Sequence, residues 1–89
     1  MKVTNERLGR MVDVLNIVGN SAGCEADTVR VALIHRGRSA LSIDTIQRDL
    51  NHLCDIRLLS RTRCCGDPYW FALTEMGRRI EAVYTRQEA

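Results

Sequence analysis

A change of hydrophobic period near residue 56 constrains this chain most. Before it, apolar residues recur at spacings of three and four; after it come two short β-prone segments and a last stretch of helical spacing. From Asn5 onward, Leu8, Met11, Val12, Leu15 and Val18 share one face of a first helix, with Asn5 or Thr4 as N-cap and Gly19-Asn20 as its stop. Ser21-Ala22-Gly23 reads as a turn. Asp27 then caps a second helix carrying Val29, Ala32 and Leu33, which Arg36-Gly37 ends. After the short connection Arg38-Ser39-Ala40, Ser42 caps a third helix whose Ile43, Ile46, Leu50 and Leu53 face the core. Residues 58 to 64 and 69 to 73 form a β-hairpin around Cys65-Gly66-Asp67-Pro68. Thr74 caps a fourth helix with Met76, Ile80, Val83 and Tyr84 at helical spacing. The expectation is one mainly α domain with a small β-hairpin over residues 1 to 89, since a chain this short holds one core.

Composition agrees with a folded unit: 45% of residues are apolar and 27% charged, far from the signature of disorder. Aromatics make up only 4%, which leaves the core to Leu, Ile, Val, Met and Ala and favours helices. No stretch has the basic cap and apolar run of an export signal or the length of a membrane span, so a cytoplasmic protein is expected. In that reducing compartment Cys24, Cys54, Cys64 and Cys65 are thiols. Cys64 and Cys65 are adjacent on a strand and point to opposite faces, and no Cys-x-x-Cys pair occurs; no metal or cofactor is expected, with a redox or soft-metal role for this pair left open. His35 and His52 belong to no catalytic motif and no glycine-rich phosphate loop is present, so an enzyme is not expected.

The net charge of +2 says less than its distribution. Residues 1 to 26 balance, residues 64 to 89 carry −1, and residues 27 to 63 carry +3 from seven arginines and four aspartates. All basic residues of that middle segment are arginine, whose fork suits phosphate and guanine.

Two stretches carry a resemblance to a known group. Residues 46 to 53, Ile-Gln-Arg-Asp-Leu-Asn-His-Leu, run into Ile56-Arg57-Leu58-Leu59-Ser60-Arg61; some twenty residues later Tyr69-Trp70-Phe71-Ala72 precedes the step Leu73-Thr74-x-x-Gly77. Over roughly residues 27 to 82 the chain resembles winged helix-turn-helix regulators of the MarR-like and PadR-like kind. The resemblance implies a helix-turn-helix over about residues 27 to 55, a wing over about 58 to 73 and a C-terminal helix over about 74 to 86. It departs from the group at Arg57, where glycine is usual. A left-handed exit there costs a side-chain-bearing residue roughly 1 kcal/mol, and a different exit geometry is expected.

The implied function is sequence-specific binding of double-stranded DNA by a small transcription regulator, with helix 43 to 55 in the major groove. On that helix the outer face holds Asp44, Thr45, Arg48, His52 and Asp55, with Gln47 and Asn51 on one flank. Arg48 suits guanine, Gln47 or Asn51 adenine, and Thr45 and His52 are further candidates for base edges. Arg30, Arg36, Arg38, Ser39 and the helix terminus at Ser42 are placed to hold phosphates. The wing turn lacks a basic tip, so Arg61 and Arg63 on the strand are the expected phosphate contacts of the wing. A small domain reads few base pairs, and helices 1 and 4 are rich in apolar positions, so a homodimer through the terminal helices is expected. The rival reading is a winged-helix docking module in a nucleoprotein or phage assembly, because the fold alone does not dictate DNA binding.

Overall fold

The structure, a computed structural model, describes residues 5–38, 41–63, 66 and 68–88. The expectations for Thr4, Ser39, Ala40, Cys64, Cys65 and Asp67 fall outside the described residues. The chain runs α1 (Asn5–Asn20), β1 (Cys24–Glu25), α2 (Ala26–His35), α3 (Ile43–Asp55), β2 (Leu59–Thr62), β3 (Trp70–Leu73) and α4 (Glu75–Glu88). The strands form an antiparallel sheet in the order β1-β3-β2. The expected hairpin therefore gains a third strand, since Cys24 and Glu25 pair with Phe71 and Trp70.

One core joins the helices to the sheet: Met11, Val14, Leu15, Ile17 and Val18 from α1, Val29 and Leu33 from α2, Ile46, Leu50 and Leu53 from α3, with Cys24, Leu59 and Phe71 from the strands. This corrects the face assigned to α1. Leu8 is 41% exposed and Val12 only partly buried, whereas Val14 and Ile17 are enclosed. The helix packs against α2, α3, α4 and β3, so it buries a band wider than one stripe. Ile43, also expected in the core, is 37% exposed beside the wing. The start of α2 shifts as well: the helix begins at Ala26, and Glu25 rather than Asp27 is its N-cap.

Caps decide where the helices stop and start. At the end of α2, Gly37 N–H donates to the Ile34 carbonyl and Arg38 N–H to the Leu33 carbonyl, the paired bonds of a Schellman motif. Gly37, with φ of +88°, supplies the left-handed residue. α1 and α3 end in the same motif without glycine, for Ala22 (φ +56°) and Arg57 (φ +66°) take the left-handed position. The expected change of exit geometry at Arg57 therefore does not occur. The chain keeps the left-handed turn and places arginine in it, because the bonds from Arg57 N–H to Cys54 and from Leu58 N–H to Leu53 need that backbone.

This turn is locked to the start of α4. Thr74 Oγ1 donates to the Arg57 carbonyl at 2.6 Å and accepts from Gly77 N–H at 3.0 Å, while Thr74 N–H donates to the Leu58 carbonyl. A Cβ on Gly77 would collide with that Leu58 carbonyl. The Leu-Thr-x-x-Gly step thus has a physical basis in this chain: Thr74 caps α4, and Gly77 permits its close approach to the exit of α3. Met76 and Val83 of α4 remain 54% and 51% exposed.

Candidate nucleic-acid interface

Ser42 accepts from Thr45 N–H at 3.2 Å, and its hydroxyl lies 3.0 Å from that of Thr45, so the first turn of α3 is capped as its sequence suggests. From there the helix turns about 100° per residue. Asp44, Gln47, Arg48, Asn51 and Asp55 come to the open side, while Thr45 and His52 are half-buried at its margin. Arg48 is exposed and has no hydrogen-bond or ion-pair partner among the described residues.

The wing meets the Gln47-Asn51 flank. In the β2–β3 register Leu59 faces Leu73 and Arg61 faces Phe71, so strand alternation puts Leu59, Arg61 and Arg63 on the sheet face that packs on α3. Leu59 and Phe71 are buried; farther along, the same face leaves the core and holds Arg61, Arg63 and Tyr69 beside α3. The guanidinium carbons of both arginines lie 5.3 Å from the centre of the Tyr69 ring. Arg61 Nη1 donates to Asn51 Oδ1 at 2.8 Å, tying wing to helix. Between them runs a groove of about 630 Å³, with Ile43, Gln47 and Asn51 on one wall, Arg61, Arg63 and Tyr69 on the other, and Glu25 and Asp27 also lining it. Burial pushes the Cys54 thiol up; nearby Arg61 opposes that and Asp55 adds to it. Burial likewise raises Cys24, partly offset by a hydrogen bond with Ser21 and reinforced by Glu25.

The remaining arginines among the predicted contacts are engaged elsewhere. Arg38 Nε lies 2.7 Å from Asp13, and Arg36 lies 3.5 Å from the same carboxylate and 2.6 Å from Asn16 Oδ1, all on α1. Asn16 in turn donates to Glu81 of α4 at 3.0 Å. Arg30 reaches the Leu41 carbonyl at 3.4 Å and Asp27 at 4.0 Å, holding the connection between α2 and α3. The structure thus gathers Ser42, Thr45, Gln47, Arg48, Asn51, His52, Arg61 and Arg63 around α3 and the wing, and sets Arg36 and Arg38 against α1.

Sequence reasoning missed two residues. Asp49 is the one buried charged side chain among the described residues, and Arg10 and Arg7 of α1 close on it, Arg10 Nη2 at 3.3 Å and Arg7 Nε at 3.4 Å. Its helical angle marks it as neither core nor outer face, and its partners lie some forty residues away. The sequence shows Tyr69 only as part of a strand; counting alternation back from buried Phe71 places it on the face of Arg61 and Arg63. Among the described residues no three His, Cys, Asp or Glu side chains could together hold a metal ion. Nor is any described helix long and apolar enough to cross a membrane.

Comparison with family models and with curated proteins finds no match. Solved structures do match. The multiple antibiotic resistance repressor MarR aligns over 92% of this chain with a TM-score of 0.68 and 17% identity. FabT of Streptococcus pneumoniae, solved in complex with DNA, aligns over 96% with a TM-score of 0.72 and 19% identity. The chain spans little more than half of these two proteins, 54% and 58% of their lengths. A winged-helix DNA-binding protein, F93 from STIV, aligns over 96% of this chain and 89% of its own, with a TM-score of 0.72 and 20% identity. At such identities the likeness is one of architecture, and with the helix order and three-stranded sheet described above it establishes that this chain has the winged-helix fold.

Proposed function

We propose that the chain binds double-stranded DNA sequence-specifically as a cytoplasmic transcription regulator, with α3 in the major groove. The observation that carries this reading is the exposed Arg48, without a partner among the described residues, on a helix face continuous with the Gln47-Asn51 flank and the wing arginines. A groove of base edges accepts such a face, because arginine pairs with guanine and side-chain amides pair with base edges. Arg63 and the capped α3 terminus at Ser42 and Thr45 supply phosphate contacts that fix register. The structural neighbours described as DNA-binding or solved with DNA support the same use of the fold.

Asp44, exposed between Ser42 and Thr45, weakens the phosphate contact at that terminus without removing it, and Asp55 repels phosphates at the other end of α3, which leaves base reading to the middle of the helix. The chain acts as a homodimer in this proposal, two copies meeting through the terminal helices, where Leu8, Met76 and Val83 are exposed. A mass measurement by light scattering at micromolar concentration should give twice 10.1 kDa; a monomer would remove the dimer from the proposal.

Titration of a labelled duplex at several salt concentrations tests the DNA reading itself. Each phosphate contact should contribute about 0.9 to the slope of log affinity against log salt, so several contacts give a steep fall. A duplex left unbound even at low salt would point instead to the docking module.

A further inference from the structure

We infer that Arg61 determines which base Asn51 reads, by holding the carbonyl oxygen of its side-chain amide and setting a guanidinium charge beside it; the inference rests on the proposed placement of α3 in the major groove. Arginine carries N–H donors and no acceptor, so the amide atom facing Arg61 must be the carbonyl oxygen. Nη1 lies 2.8 Å from it. Arg61 is itself held: its backbone pairs with Phe71 in the sheet, and its guanidinium rests over the Tyr69 ring at 5.3 Å.

An asparagine with both amide ends free suits adenine, accepting from N6 and donating to N7. With one lone pair of its oxygen taken and the other lying next to the guanidinium charge, Asn51 offers its N–H donors in preference to its oxygen. A donor such as adenine N6–H or cytosine N4–H then approaches a cation, whereas guanine presents two adjacent acceptors, N7 and O6, and thymine one, O4. Guanine is therefore the base for Asn51, with thymine second. Gln47, one turn earlier on the same flank, has no such partner among the described residues and keeps both amide ends for adenine. Two side-chain amides of the same chemistry, one turn apart, thus read different bases because one is held by the wing.

The test uses the full 89-residue chain. Duplexes are selected from a random pool, and the base pair whose preference disappears in Asn51→Ala is identified. Affinities are then measured on the four duplexes that differ there. The parent should prefer guanine over adenine by about fivefold or more, the lower end of what a base contact discriminates. Arg61→Ala should reverse this to adenine by a similar factor, while Arg63→Ala should weaken all four duplexes alike. Circular dichroism confirms that each variant is folded. A parent that prefers adenine, or an Arg61→Ala protein that keeps guanine, overturns the assignment with the docking intact. If Asn51→Ala alters no base preference, the assignment is overturned, and Arg48→Ala on the same selected duplex then tells whether the docking of α3 falls with it.

Discussion

On one side of α3, Arg7 and Arg10 close on buried Asp49, and Arg36 and Arg38 close on Asp13; on the other, Arg61 and Arg63 lie along Tyr69 with no carboxylate in ion-pair contact among the described residues. The first set ties α2 and α3 to α1. The second faces an open groove. The same residue type therefore serves as an internal fastener in one region and as a candidate ligand contact in the other, and the difference is made by which acid the fold brings near. Charge counted by segment hides this. The excess of residues 27 to 63 includes Arg36 and Arg38, whose counter-charge is Asp13, and Asp49, whose counter-charges are Arg7 and Arg10.

The sharpest way to break the contrast is to remove the buried acid. Asp49→Ala leaves Arg10, 14% exposed, without its partner, and should cost about 3 kcal/mol of stability in urea unfolding; the low end of the range for buried pairs applies because both arginines keep some water. Base preferences of the variant, measured where it is folded, should be unchanged. An unchanged midpoint would show that the Asp49 cluster fastens nothing.

Arg57 lies between the two regions, at the turn from α3 into the wing. Arg57→Gly should raise stability by up to about 1 kcal/mol, seen as a higher thermal midpoint, since glycine takes the left-handed backbone without strain. A loss of stability would mean that the arginine side chain contributes more than its backbone costs.

A pair of variants compares the two sides directly. Arg38→Ala, at a partly exposed ion pair, should cost at most about 1 kcal/mol of stability and leave the salt slope of DNA binding unchanged. Arg63→Ala should leave stability unchanged and lower that slope by about one unit. Reversed results would move the phosphate contacts to Arg36 and Arg38, which the sequence alone also puts among them.

The contrast also explains what was legible in the sequence. The order of helices and strands follows from period and caps, and Ser42, Gly37 and Thr74 act where local chemistry puts them. Arg48 stands at the centre of the outer face of α3 because Ile46, Leu50 and Leu53 fix the inner one. β1 was not legible, for two residues carry no alternation, and Cys24-Glu25 becomes a strand only by pairing with β3. The same holds for Asp49, whose burial depends on Arg7 and Arg10, and for the link from Arg61 to Asn51, which depends on strand register. Local chemistry is written in neighbouring residues; pairing over long sequence distance is not.

The central claim, that the outer face of α3 reads DNA, is tested most directly at Arg48. Equilibrium binding of the parent and of Arg48→Ala would be compared on a duplex selected by the parent and on a scrambled duplex at one salt concentration. Loss of about 1 to 3 kcal/mol on the selected duplex, with a much smaller loss on the scrambled one, is expected of a side chain that pairs with a base edge. A folded Arg48→Ala protein that binds the selected duplex as tightly as the parent would contradict the claim and remove α3 as the reader.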